Sequence, residues 1–155
     1  MELYLLRHGD AEDKKVGERD EDRALTESGR EQIKKAAELL KKEKVEVGLI
    51  LTSPLLRARQ TAEIVSKILN YHDEIKEVNA LVVGSCPEEL VGELSKYSKV
   101  ENVLVVGHQP HLGHCIAYLT GEDEGKLTIE KGACSLVSLP SIGKAKAELR
   151  WIKRP

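Results

Sequence analysis

The sequence predicts an α/β fold with a mostly parallel sheet and helices on both of its faces. Two observations carry that prediction. Short apolar runs at Leu3–Leu6, Val47–Leu51 and Val103–Val106 read as strands buried on both sides. Segments with helical spacing of apolar residues separate these runs, and strands alternating with helices favour a parallel sheet.

The first run, Leu3-Tyr4-Leu5-Leu6, stops abruptly at Arg7-His8-Gly9-Asp10. Arginine is a poor core residue, and Gly9 permits a sharp turn and a close backbone approach. In open α/β sheets, ligands bind just beyond the carboxyl ends of the strands. A cation beside a nucleophilic imidazole at such an end suggests a site for an anion such as phosphate.

Residues 10 to 25 are polar and charged and read as a solvated loop. Thr26 has the character of an N-cap, and Ile33, Ala36, Ala37 and Leu40 predict a helix over 27–43. A second strand spans 47–52. Ser53-Pro54 then reads as a helix start, serine capping and proline at the first position, with the helix running over 54–69. Glu74–Val78 predicts a short third strand, and Pro87 opens another helix. Asn102–Val106 forms a fourth strand, ended by Gly107-His108-Gln109-Pro110, and a helix follows to about 119. Cys134–Leu139 and Ala147–Ile152 read as a strand pair joined through Gly143. No repeat or linker divides the chain, so residues 1–155 are read as one domain.

Composition narrows the function. With 24 basic and 26 acidic residues the formal net charge is -2, too near neutral for a nucleic-acid or membrane surface. No apolar run approaches the ~18 residues of a membrane span, and no signal peptide is visible. Cys86, Cys115 and Cys134 are odd in number and widely spaced, which predicts core or half-buried thiols in a reducing cytoplasm.

Three strand ends carry the same punctuation: Arg7-His8-Gly9, Ser53-Pro54 with Arg57 one turn on, and Gly107-His108. In a parallel sheet these ends share one edge. Two arginines, two histidines and two helix N-termini would then meet, enough to hold a doubly charged tetrahedral group without a metal. Taken singly, Ser53 reads as a cap first and a phosphate contact second. Arg57 could pair with Glu63 or Glu27, and Arg59, His72, His111 and His114 read as surface or rim residues.

These segments also carry a resemblance. Leu6-Arg7-His8-Gly9, Leu25-Thr26-Glu27-Ser28-Gly29, Ser53 to Ala62 and Val106 to Pro110 look like the ordered motifs of the histidine phosphatase superfamily, phosphoglycerate mutase-like. Small size and short insertions make the chain most similar to the SixA-type phosphohistidine phosphatases. The resemblance implies a three-layer α/β/α sandwich and a metal-independent phosphatase with no cofactor. It makes His8 the nucleophile that becomes phosphorylated. Arg7, Arg57 and a protonated His108 would bind the phosphoryl group.

One departure from the family bears on the substrate. Many members place a glutamate acid shortly after the third strand, about where Ala80 stands. Asp10, Asp20 and Glu77 are left as candidate proton donors. An alkoxide leaving group needs a proton, whereas an imidazole protonated on its ring departs more readily. The expected substrate is therefore a phosphohistidine-bearing protein, such as a phosphorelay domain. A small-molecule phosphomonoesterase is the alternative within the family, and a non-catalytic phosphate-binding module the alternative outside it.

Overall fold

The computed structural model describes residues 1–155, apart from the side chain of Glu124. Six strands form one mixed sheet: β1 (Glu2–Arg7), β2 (Leu49–Thr52), β3 (Lys76–Glu77), β4 (Asn102–Gly107), β5 (Cys134–Ser138) and β6 (Glu148–Lys153). Their order is β3-β2-β4-β1-β5-β6. β1, β2, β3 and β4 run parallel, while β5 is antiparallel to both β1 and β6. Four helices cover the sheet: α1 (Glu27–Lys42), α2 (Leu56–Ile68), α3 (Pro87–Ser95) and α4 (His111–Thr120).

The apolar runs explain the layers. Successive side chains on a strand point to opposite faces. Leu3, Leu5, Val103 and Val105 pack with Leu90 and Leu94 of α3 and Leu112 and Ile116 of α4. Tyr4, Leu6, Leu104 and Val106 pack with Ile33 and Leu40 of α1 and Ala58 and Val65 of α2. Two cores therefore sandwich one sheet, the three-layer α/β/α arrangement that the sequence predicts.

The boundaries differ at informative places. β2 begins at Leu49, although Gly48 N–H already bonds the Asn102 carbonyl at 2.9 Å at the edge of the ladder. β3 shrinks to Lys76–Glu77 at the sheet edge. α2 begins at Leu56, two residues later than Ser-Pro predicts. Ser53 N–H bonds the Val106 carbonyl at 2.9 Å, which extends the β2–β4 pairing and keeps Ser53 out of the helix. Thr26 caps α1 as predicted, its hydroxyl accepting from Gly29 N–H at 2.9 Å.

Close backbone contact fixes the segment after β1. A Cβ on Gly9 would stand 2.6 Å from the Gly29 carbonyl oxygen, and a Cβ on Gly29 would stand 2.1 Å from that of Asp10. The first turn of α1 thus lies directly on the residues that follow His8. Helix propensity alone would make Gly29→Ala stabilising by up to ~1 kcal/mol. The collision reverses that sign, because the atom struck is backbone on a strand exit. Gly29→Ala is expected to destabilise the protein by about 1–3 kcal/mol in urea unfolding. A variant as stable as the parent would show that this contact yields freely.

Candidate active site

The in-register pairing of β1 with β4 builds the site. Arg7 stands opposite Gly107, and His8 N–H bonds the Gly107 carbonyl at 3.1 Å, so His8 and His108 leave adjacent strands side by side. Their ring centroids lie 5.0 Å apart. β2 lies on the other side of β4, and Ser53 Oγ meets His108 Nε2 at 2.8 Å. Arg57, in the first turn of α2, completes the group with a side chain only 4% exposed.

His8 is buried, and its Nδ1 lies 2.7 Å from the Gly9 carbonyl. A carbonyl only accepts, so the proton sits on Nδ1 and Nε2 keeps its lone pair. Burial, reinforced by Arg57, Arg7 and Lys131, lowers the His8 pKa from 6.5 to about 4, against the opposing pull of the Gly9 carbonyl. The ring is a neutral nucleophile at neutral pH.

His108 departs from expectation. The resemblance implies a protonated ring, but burial, then His8 and Arg57, push its pKa down to about 3. Two cations and a second imidazole crowd one dry edge, and that disfavours another positive charge. Ser53, which accepts from Leu55 N–H at 3.3 Å, can donate to Nε2. That leaves the ring proton on Nδ1, a buried nitrogen without a hydrogen-bond partner. Ser53, expected as a helix cap and phosphate contact, is instead fully buried and serves His108.

The arginines are held but not saturated. Arg7 Nη1 donates to the Ile129 carbonyl at 2.9 Å. Arg57 pairs with neither Glu63 nor Glu27. Its Nη1 donates to the Asp20 carbonyl at 2.9 Å and its Nη2 to the Asp20 carboxylate at 3.1 Å. Nε of each arginine is buried and unpartnered. Such donors cost about 1–3 kcal/mol apiece unless an acceptor meets them, and the oxygens of an anion do so.

The three candidate acids fall into separate settings. Asp20, on the 3-10 turn Asp20–Asp22, contacts Arg57 and accepts from Arg23 at 2.9 Å. Partial burial pulls its pKa up, but Arg57 and Arg23 outweigh this and hold it below the usual range. Asp10 bonds Lys131 at 2.6 Å and the Thr26 hydroxyl at 3.1 Å. The Lys131 bond, foremost, lowers its pKa. Glu77 faces Arg59 at 3.6 Å on the edge strand β3, which leaves Arg59 half-exposed and paired. Ala80 is buried on the 3-10 turn Asn79–Leu81 and carries no acid there.

Other histidines and cysteines divide. His72 is exposed as predicted, and His114 is half-buried. His111, predicted at the rim, is instead buried, with Nε2 3.4 Å from Cys115 Sγ one helical turn on. Cys115 and Cys134 are buried as expected, whereas Cys86 is exposed at the start of α3.

Sequence reasoning missed the supports. Thr61 Oγ1 accepts from Gly9 N–H at 3.3 Å and donates to the Arg57 carbonyl at 2.8 Å, tying the His8 turn to α2. Gln109 holds the Leu127–Ile129 loop through both ends of its amide, and Ile129 in turn holds Arg7. Thr61 and Gln109 sit inside recognisable motifs. Lys131 and Ile129, more than a hundred residues from their partners, gave no local signal.

Comparison with known proteins follows the same lines. A family model described as histidine phosphatase superfamily (branch 1) matches residues 3–84. Phosphohistidine phosphatase SixA of Escherichia coli K12 is 35% identical over 125 residues, 77% of this chain and 74% of that protein. An uncharacterised protein of a Picosynechococcus strain is 38% identical over 120 residues, 73% of this chain and 69% of its own length. The solved structure of protein histidine phosphatase SixA complexed with tungstate superposes with a TM-score of 0.89 at 29% identity, covering 100% of this chain and 97% of that one.

The depressed histidine pKa values set a pH dependence. Both rings are neutral in the folded protein, while in the unfolded chain they bind protons below about pH 6.5. Their contribution to stability is complete above that value and is lost as pH falls towards 4 and 3. Each histidine contributes a slope of about 1.4 kcal/mol per pH unit within its window. Urea midpoints should therefore fall steeply below pH 6.5, and less steeply in His108→Gln. An unchanged slope in that variant would show that His108 is not held neutral.

Proposed function

The chain belongs to the histidine phosphatase superfamily, and from that membership we propose that it is a phosphohistidine phosphatase acting through a phosphorylated His8. One observation carries the proposal above the others. His8 is neutral, its Nδ1 proton is committed to Gly9, its Nε2 keeps the lone pair, and Arg57 and Arg7 are near enough to disfavour its protonation. A module that only bound phosphate would need the arginines but not this nucleophile.

The proposed chemistry follows from the geometry. Nε2 of His8 attacks phosphorus in line as the P–N bond to the substrate imidazole breaks. The imidazole departs neutral, carrying the proton already on its ring. Arg7, Arg57 and the Nδ1–H of His108 take the equatorial oxygens, so catalysis is largely positional and electrostatic. Water then attacks the phospho-His8 intermediate and releases inorganic phosphate, which frees Nε2 again.

Asp20 must yield the Arg57 fork to the phosphoryl oxygens. Neither it nor Asp10 is held protonated for an ester leaving group. That supports a P–N substrate, in keeping with the likeness to SixA. The readings that residues 1–155 act as one domain, that the protein works in the cytoplasm and that its partner is a phosphorelay domain belong to the same proposal. Three free cysteines support the cytoplasmic reading. Among the described residues no helix is long and apolar enough to cross a membrane.

The test combines labelling with a substrate comparison. His8→Ala should retain the fold, lose acid-labile phosphoryl labelling and lose turnover. The kcat/KM for a P–N substrate should exceed that for a phosphate monoester by more than about tenfold, 1.4 kcal/mol of differential stabilisation. Asp10→Asn, Asp20→Asn and Glu77→Gln serve as controls. Equal efficiency on both classes, with one carboxylate essential only for the ester, would replace this reading with a phosphomonoesterase.

A further inference from the structure

Exposed apolar side chains are unevenly placed on this molecule. Among the described residues, the large apolar side chains that stand exposed are Val16 (fully), Val83 at 52% and Ile152 at 38%. Ile152 lies on β6, the far edge of the sheet. Val16 lies on the loop that also carries Asp20, at the tip of a turn closed by Glu18 N–H to the Lys15 carbonyl at 3.1 Å. Val83 follows the 3-10 turn that leads away from β3.

The Val83 turn is rigid and anchored. Val82 N–H bonds the Asn79 carbonyl at 3.1 Å, and the Ser85 hydroxyl bonds that same carbonyl at 2.9 Å. Leu81 is fully buried, with Cδ2 3.6 Å from where a Cβ on Gly107 would stand. The turn is thus seated against the end of β4, one residue before His108. It holds an aliphatic side chain in water; a single such residue is ordinary, and it gains meaning only with apolar neighbours beside a cleft.

Val82, Val83 and Leu55, with Arg19, Asp20 and Glu21, line an open hollow of about 320 Å³. The hollow borders the candidate active site. Asp20 bonds Arg57, and Leu55 N–H bonds the Ser53 hydroxyl that meets His108. A folded protein that carries a phosphoryl group onto Arg57 and His8 therefore comes up against this hollow beside Asp20. The charges along it are already matched within the chain: Arg19 pairs with Glu21 at 2.8 Å and Asp20 with Arg57 and Arg23. Once Asp20 yields Arg57 it keeps Arg23, so a charged metabolite tail finds no lone cation there, whereas an aliphatic protein surface finds three aliphatic side chains.

We propose that Leu55, Val82 and Val83 are a docking surface for the protein that bears the phosphohistidine, and that this partner presents aliphatic side chains around its modified residue. The inference rests on the phosphohistidine reading above and adds the basis on which the site selects a protein over a small molecule. Affinity comes from burying Val83 and its neighbours against the partner, while chemistry stays with Arg7, His8, Arg57 and His108.

The test compares a histidine-phosphorylated phosphotransfer domain with phosphoramidate as substrates. Val83→Asp and Val83→Lys carry opposite charges at one exposed position, and Ile152→Asp is the control for an exposed valine-sized loss elsewhere. Both Val83 variants should lower kcat/KM on the phosphorylated domain by about tenfold or more, mainly through KM, and leave phosphoramidate turnover unchanged. Ile152→Asp should change neither. Equal loss on both substrates would overturn the proposal and assign the turn to support of His108. No loss on either would also overturn it, leaving the phosphatase reading intact. A parent enzyme that turns over phosphoramidate but not the phosphorylated domain would overturn the protein-substrate reading, and the docking surface with it.

Discussion

Register between β1, β4 and β2 is the constraint on which the rest depends. Leu6 stands opposite Val106, Arg7 opposite Gly107, and Thr52 opposite Val106 on the other side. That alignment places His8, His108 and Ser53 on neighbouring strand exits. A slip of one residue would turn every side chain to the opposite face. The two cores would then lose their partners, since Leu3 and Leu5 serve one and Tyr4 and Leu6 the other. Core packing and site assembly are therefore one condition. The sheet cannot bury its apolar side chains on both faces without also bringing the two histidines together.

The site itself works against stability. Two arginines and two imidazoles share a buried edge, several of their nitrogens lack acceptors, and both imidazoles resist protonation. Binding sites commonly store such strain, and the surrounding fold must hold it in place. Asp20 relieves part of the cost by supplying Arg57 with a carbonyl and a carboxylate. It does so from an exposed turn, so its carboxylate is the exposed partner and the guanidinium the buried one. The electrostatic attraction for an anion is thereby kept in the fold while one local counter-charge offsets it.

Short connections follow β2 and β4 on this edge, while the longer ones after β1 and β3 carry Asp20 and Val83. The hollow beside Asp20 borders the candidate phosphoryl site. An open face of this kind suits a reacting group that is itself part of a folded surface. On the proposed reading, a partner surface would exclude water from the leaving-group side and so strengthen the fields of Arg7 and Arg57 there.

The sequence by itself determined the sheet, its two buried faces and the residues at the three parallel strand exits. Arg7, His8 and His108 sit where a continuous apolar run stops, and Arg57 one turn into the helix that follows one. The helix starts at Thr26 and Pro87 were equally legible, because capping and an N1 proline are local chemistry. Tertiary structure alone decided the rest. Ser53 looks like a cap from its neighbour Pro54, but the ladder to Val106 and the ring of His108 claim it. His108 looks ready to carry a charge until burial beside Arg57 removes that option. His111 looks like a rim residue until α4 turns it inward against Cys115. Partners such as Asp20 for Arg57 and Lys131 for Asp10 lie 37 and 121 residues away. No periodicity or spacing encodes pairings at that range. They arise only when the closed sheet brings distant loops to one edge, where desolvation sets the protonation of each group.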